Sequence, residues 1–277
     1  MPCIKRSYGL MCCRNNNNNI QILMVKKSNT YYFCEFVMGR YKKYDDKHLL
    51  KLFNNMTYYE KMDILSLRFQ TMWYRIYKEN PDNSIMLGIK NSWTVSYLKK
   101  KGKFDSSFLQ DGGSRLRKLI NSSINNETPW EFPRGRKDSD KESNIETAIR
   151  EFKEETNVKE DKFKIIWNLQ PYIETYTVFN IVYQNIYYYA DSIGIWEPIY
   201  KFNNTKQSSE VAHVRWMSIS NLNNIGMNGH NLKRMIKCFK KNIAKYKNNN
   251  KYSGNNKNNK TYADIINYTN NKYYTYL

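Results

Sequence analysis

Trp130-Glu131-Phe132-Pro133-Arg134-Gly135-Arg136-Lys137, then Glu142, then Arg150-Glu151-Phe152-Lys153-Glu154-Glu155-Thr156-Asn157-Val158 is the part of this chain whose reading decides its fold. Ser143 or Asn144 can cap a helix running to about Thr156. On that helix Ile145, Ala148, Ile149 and Phe152 form an apolar stripe suited to docking on a sheet. At 100° per residue Glu151, Glu154 and Glu155 fall within about 100° of arc, so three carboxylates share one face. Lys153 is the only cation close behind them in sequence. Three adjacent carboxylates raise one another's pKa unless a cation sits among them, and a divalent ion with hard oxygen ligands, Mg²⁺ or Mn²⁺, meets that need. A solvated acidic helix face is the alternative, and on the Glu triplet alone it is the commoner outcome.

Working outward, residues 7–38 read as strands. Tyr8, Leu10 and Cys12 alternate with Gly9 and Met11, a turn falls at Asn15–Asn19, Ile20–Val25 is β-branched, and Tyr31–Met38 follows the Ser28-Asn29 turn. From about residue 40 the pattern becomes helical. Leu49, Phe53 and Met56 keep helix spacing, and Thr57-x-x-Glu60 is a capping box. It opens a helix carrying Met62, Leu65, Phe69, Met72, Trp73 and Ile76, expected to stop near Asn80-Pro81. Short helices are expected at Trp93–Lys100 and Ser114–Ile120, with breaks at Gly102 and Gly112-Gly113. After the quoted stretch, strands are expected at Phe163–Trp167, Tyr172–Phe179, Ile181–Ala190 and Val211–Met217, then a closing helix at Gly229–Tyr246. The whole reads as an α/β chain: a discontinuous domain from residues 1–39 and 126–246, a helical insertion at 40–125, and an Asn/Lys/Tyr low-complexity tail at 247–277.

Composition sets bounds on function. The 277 residues carry a formal net charge of +20, which favours phosphate polymers, whether nucleic acid or an acidic membrane surface. No apolar run is long enough to suggest a membrane span, and Met1–Arg6 lacks the apolar core of a secretory signal. Five cysteines without a CxxC and only three histidines argue against zinc and against a disulfide framework.

The spacing then lifts the acidic helix out of the ordinary. Glu142, seven residues, and Arg150-Glu151-Phe152-x-Glu154-Glu155-x-Asn157-Val158 resemble the Nudix box. Two positions depart from it. Six residues rather than five separate Gly135 from Glu142, and Asn157 stands where the box has glycine; Asn tolerates positive φ next best, so the cap can survive. Trp130-x-Phe132-Pro133-Arg134-Gly135-Arg136 resembles the eukaryotic mRNA-decapping enzyme, and Ser7-Tyr8-Gly9 with the stretch Tyr31–Phe36 resembles the decapping Nudix proteins of poxviruses and other large DNA viruses.

The resemblance implies a Nudix α/β/α sandwich with a mixed sheet, interrupted by a helical insertion. It also implies Glu151, Glu154, Glu155 and the Gly135 carbonyl as ligands of Mg²⁺ or Mn²⁺, with Glu154 the most sensitive to mutation, and Glu142 paired with Arg150 in support. Glu210 resembles the family's general base, ahead of Asp191 and Glu174. The implied substrate is capped RNA, cleaved to methylated GDP and 5′-monophosphate RNA, in the host cytoplasm or a virion. Aromatic candidates for the cap base are Tyr8, Tyr32, Phe36, Tyr172 and Tyr176. A basic track for the RNA would comprise Lys99, Lys100, Lys101, Lys103, Arg115, Arg117 and Lys118 in the insertion, with Arg134 and Arg136 beside the box. A diphosphatase acting on dinucleotides or diphosphoinositol phosphates and a non-catalytic RNA-binding module are the competing readings.

Overall fold

The computed structural model describes residues 4–16, 19–81, 91–178, 181–200 and 205–220, with isolated positions 222, 237, 238 and 241. The expected closing helix, but for positions 237, 238 and 241, and the tail at 247–277 lie outside the described residues. A hairpin begins the chain: β1 (Ile4–Asn16) and β2 (Asn19–Lys27) pair antiparallel, with Cys13 opposite Ile22 and Asn16 opposite Asn19. The chain leaves the sheet after Lys27 and returns at β3 (Trp130–Glu131) and β4 (Arg134–Gly135), which pair with β2 and β1. Next come β5 (Phe163–Ile165), β6 (Tyr172–Val178), β7 (Ile181–Ser192) and β8 (Val211–Ser218). The sheet is mixed, because β1 runs parallel to β7 from Ile4 opposite Val182 to Cys13 opposite Asp191, while the other pairings are antiparallel. This is an α/β fold built on a mixed sheet, as expected.

Among the described residues between β2 and β3 lie six helices: α1 (Tyr31–Val37), α2 (Asp46–Phe53), α3 (Tyr58–Leu65), α4 (Phe69–Tyr77), α5 (Ser92–Phe108) and α6 (Ser114–Asn121). Three expectations are corrected here. Residues 31–37 are helix, not strand, so helical structure begins nine residues earlier than 40. Thr30 caps this turn by accepting from the Phe33 amide, and Phe33, Phe36 and Val37 at i, i+3 and i+4 bury in the helical core. Aromatic β-propensity is a weak prior once such a face has a partner. The helix from Thr57 is broken: α3 ends at Leu65, and Leu67 takes a left-handed φ of 57° before α4. A Cβ on Gly113, itself at φ 81°, would lie 2.9 Å from both Leu67 Cδ atoms, so the break seats Leu67 on that glycine. Gly102 does not interrupt α5. It is exposed with nothing within 4 Å, and Tyr97, Phe104 and Phe108 around it hold the helix to the core.

Glu60 fastens the helices to the sheet. The capping-box carboxylate is fully buried and accepts from the Thr30 amide (2.6 Å), the Thr30 hydroxyl (2.9 Å) and the Thr57 amide (2.8 Å). The turn leaving β2 is thereby tied to α3. Helix α7 (Asn144–Thr156) packs Ile145, Ala148, Ile149 and Phe152 against Tyr8, Leu10, Cys12, Leu23 and Trp216 of the sheet, as the apolar stripe requires.

Candidate active site

Helix α7 is fixed at both ends by its own sequence. Ser143 and Glu146 form a reciprocal capping box, with the Ser143 amide donating to Glu146 Oε2 at 2.8 Å. At the other end Asn157 adopts φ 55°, and its amide donates to the Lys153 carbonyl. Replacing Asn157 with Gly, which enters this region without a Cβ penalty, is expected to change stability by less than about 1 kcal/mol, whereas Asn157→Val should cost more; thermal melts of the two variants check this.

Arg150 holds the loop before the helix. Its Nε donates to Glu142 Oε1 at 2.8 Å and its Nη2 to Glu142 Oε2 at 3.2 Å, and the same Nη2 reaches the Arg136 carbonyl at 2.8 Å. The Asp138 amide also donates to Glu142 Oε2, at 3.0 Å. Arg150's hydrogen bonds, the larger cause, push Glu142 down to about 2. The residue added to this loop is absorbed between anchors that Arg150 supplies at Arg136 and Glu142.

The functional carboxylates meet on the face of α7 that looks toward β4 and β8. Glu151, Glu155 and Glu210 each place an oxygen within 4.8 Å of the others. Glu210 closes helix α8 (Thr205–Glu210) and directly precedes β8; the Gln207 side chain donates to the Glu155 carbonyl at 3.0 Å, and the Glu210 carbonyl accepts from the Ser28 amide at 2.9 Å. A residue expected as a base from its flanking sequence therefore stands beside Glu151 and Glu155, two of the carboxylates expected as ligands. Glu154 stands apart from this triplet: Arg150 Nη1 donates to it at 3.2 Å. Asp191 and Glu174 are not in the cluster; the first faces Cys13 and the second accepts from Asn185 at 2.8 Å. Gly135 is part of the site in a different sense. A Cβ built there would fall 2.1 Å from Glu151 Cδ, so only glycine lets that carboxylate lie against β4. Burial, opposed by Arg150, pushes Glu151 up to about 7.

The cation that the acidic face needs is Lys27, which sequence spacing could not single out. Its Nζ meets Glu155 Oε1 at 2.5 Å, with both side chains largely buried. Burial alone would lower its pKa, but Glu155, Glu131 and Glu210 outweigh burial and hold it above the ordinary lysine value. Lys153, the sequence neighbour, pairs instead with Glu160 at 3.1 Å. Three carboxylate oxygens held this close, only one of them paired with the Lys27 ammonium, fit a divalent cation with oxygen ligands.

Of the cations expected to track RNA, five have other engagements. Lys103 donates to the carbonyls of Gly39 (2.6 Å) and Tyr41 (2.7 Å), and Lys101 pairs with Asp105 at 2.5 Å. Arg115 pairs with Asp46, Arg117 donates to the Gly112 carbonyl at 2.6 Å, and Arg134 is shared by Glu131 (2.9 Å) and the Tyr187 hydroxyl (2.8 Å). Lys99, Lys118 and Arg136 are exposed and Lys100 is half-buried.

The aromatic candidates also separate. Phe36 and Tyr8 are buried, Phe36 in the helical core and Tyr8 in the sheet core, with the Lys137 ammonium 5.7 Å from the Tyr8 ring centre; Tyr32 packs partly buried on the helices, and Tyr172 sits opposite Tyr187 in the ladder. Tyr176 stacks on Tyr183 with centroids 5.4 Å apart and planes at 9°. The hydroxyl of Tyr31, which is 49% exposed, hydrogen-bonds to both Tyr183 and Glu35. Tyr31 of α1 thus meets the stacked Tyr176–Tyr183 pair of β6–β7 with Glu35 beside it, and Tyr31 and Tyr183 are not among the expected cap-base candidates in a chain of 24 tyrosines.

Residues 111–238 match the sequence profile of the NUDIX domain. The chain carries a Nudix domain. Strands β1 and β2 of the Nudix sheet lie ahead of the matched stretch. Over 168 residues the chain is 36% identical to the mRNA-decapping protein g5R of two African swine fever virus isolates, Pig/Kenya/KEN-50/1950 and Warthog/Namibia/Wart80/1980, covering 59% of this chain and 63% of each relative. The chain therefore spans somewhat under two thirds of the length of these relatives. Among solved structures, a C. elegans Ap4A hydrolase binary complex is similar with a TM-score of 0.43 at 11% identity, over 86% of this chain and 97% of that one. Among the described residues no helix is long and apolar enough to cross a membrane.

Proposed function

We propose that this Nudix domain hydrolyses the 5′ cap of mRNA, releasing methylated GDP and 5′-monophosphate RNA. The observation that carries the reading is the Glu151, Glu155 and Glu210 cluster, assembled on an intact Nudix helix in a chain whose relatives are named as decapping proteins. The buried pair Glu151 and Glu155 would hold Mg²⁺ or Mn²⁺, and Glu154 would join them by turning from Arg150. A divalent ion bound there neutralises diphosphate oxygens and lowers the pKa of an attacking water. Glu210 is the exposed member of the cluster and the one placed to accept the water's proton. Glu142 and Arg150 keep the preceding loop over the helix, and Gly135 keeps Glu151 in place.

Two features support a cap over a simple diphosphate. The group of Tyr31, Tyr176 and Tyr183 with Glu35 and Glu174 offers π-faces and carboxylates to a methylated, cationic guanine. Lys99, Lys100 and Lys118 leave positive charge on the helices for the RNA body. The engagement of Lys101, Lys103, Arg115 and Arg117 favours the second reading, a small-substrate diphosphatase, because it thins that track. An assay with cap-labelled RNA in the presence and absence of Mn²⁺ decides between them. Labelled methylated GDP should appear only with metal, at least about tenfold faster from long capped RNA than from free cap dinucleotide, and Glu151→Gln should reduce it about 10³-fold. Equal rates on the two substrates would overturn the cap reading.

A further inference from the structure

The strands that bring Lys27 and Glu131 near the carboxylate cluster alternate faces, so the neighbours of these two residues point the other way. Trp130 precedes Glu131, Lys26 precedes Lys27, and His213 is the third residue of β8, the strand that follows Glu210. Lys26 is directly opposite Trp130 in the β2–β3 ladder and opposite His213 in the β2–β8 ladder, which places all three in one row on one face. Arg215, two residues further along β8 on that same face, sets its guanidinium 4.5 Å from the centre of the Trp130 ring. Tyr200 closes the group, its ring 6.4 Å from that of His213 at 43°. His213 and Arg215 are exposed, while Trp130 and Tyr200 are half-buried.

The metal site uses none of these side chains, and core packing does not require His213 or Arg215. Although Arg215 is only five residues from Glu210 in sequence, its guanidinium lies over an indole. Lys26 pairs with Glu127, whose side chain is 83% exposed, and such a surface pair is worth little against a phosphate. Aromatic, imidazole and guanidinium planes interleaved with cations, on a chain of charge +20, match single-stranded nucleic acid in both chemistry and sign. A folded acidic protein would satisfy the cations but would leave the row of planes without use.

We propose that Lys26, Trp130, His213 and Arg215 form a stacking platform for the single-stranded RNA body on the face of the sheet opposite the carboxylate cluster. The choice of RNA over DNA rests on the decapping reading; the platform itself rests on the row of side chains. It would be tested by fluorescence anisotropy with an uncapped single-stranded RNA across a range of salt concentrations, with thermal melts to confirm folding. Trp130→Leu is expected to weaken binding about tenfold by removing a stacking face. Arg215→Ala should weaken it and reduce the slope of log affinity against log salt by about 0.7, the loss of one phosphate contact on a single strand. Arg215 is exposed, so this variant judges the platform even where Trp130→Leu fails to fold. Affinity and salt slope unchanged within twofold in Arg215→Ala and in folded Trp130→Leu would overturn the proposal. Because the probe has no cap, its binding is independent of cap hydrolysis: wild-type protein that binds it through the platform yet leaves capped RNA intact would overturn the decapping reading alone.

Discussion

Gly135→Ala is expected to reduce cap cleavage about 10²-fold while leaving the protein folded. The new Cβ would stand 2.1 Å from Glu151 Cδ and 2.2 to 2.3 Å from its two oxygens, distances that no pair of unbonded atoms holds. Ordinary contact begins near 3.4 Å, so the carboxylate must retreat by about 1 Å or change rotamer. A displacement of that size at a group that positions the reacting centre costs about two orders of magnitude. The backbone has no comparable reason to fail, because Gly135 is not among the positive-φ residues. Gly102→Ala is the matching control. It adds a methyl where nothing lies within 4 Å, in the interior of α5, and should stabilise the protein by about 0.5–1 kcal/mol with unchanged rate. Turnover of cap-labelled RNA and a thermal melt on both variants provide the comparison. A Gly135→Ala protein with wild-type turnover would mean that Glu151 does not work from the position it occupies here.

What could be read in advance divides along the range of the interaction. The α7 boundaries were legible because capping is local: Ser143 and Glu146 lie three residues apart, and Asn157 needs only its own backbone to stop the helix. The same holds for the Glu60 capping box, although not for its burial against Thr30, thirty residues away. The flanking residues of Glu210 single it out as a candidate, but not its entry into the carboxylate cluster, which depends on α8 docking on α7 through Gln207. Lys27 was illegible. It lies 128 residues from Glu155, on a strand whose pairing with β8 shifts register between Lys26 and Lys27. Residues 31–38 were misread because a run of aromatics suits a strand until a helical core exists to receive Phe33 and Phe36. Lysine runs mislead for a related reason: Lys103 counts as +1 in sequence whether its ammonium faces a phosphate or caps the carbonyls of Gly39 and Tyr41.

The +20 charge therefore has a more specific distribution than composition suggests. One of the chain's cations, Lys27, belongs to the acidic site, and Lys27→Met should expose its role as a large loss of stability. Removing one member of a buried ion pair leaves the other uncompensated and costs about 3–5 kcal/mol. Glu155, only 2% exposed, would be that stranded charge. Burial raises its pKa and Lys27 is the chief opposing influence, so in the variant Glu155 takes up a proton more readily folded than unfolded. A carboxylate with a raised folded pKa penalises folding increasingly as pH climbs above its unfolded value, so the deficit should be greatest near pH 8 and shrink toward pH 5. Methionine matches the lysine stem in length, which confines the change to the charge. A divalent ion among Glu151, Glu155 and Glu210 would replace the missing positive charge. Mn²⁺ at about 100 times its Kd should therefore return about 2.7 kcal/mol to the folded state. Urea unfolding of Lys27→Met at pH 5 and pH 8, with and without Mn²⁺, measures all three quantities. A deficit that is independent of pH and untouched by metal would place the lost energy in packing around the Lys27 stem, and would separate Lys27 from the metal site that its contacts define.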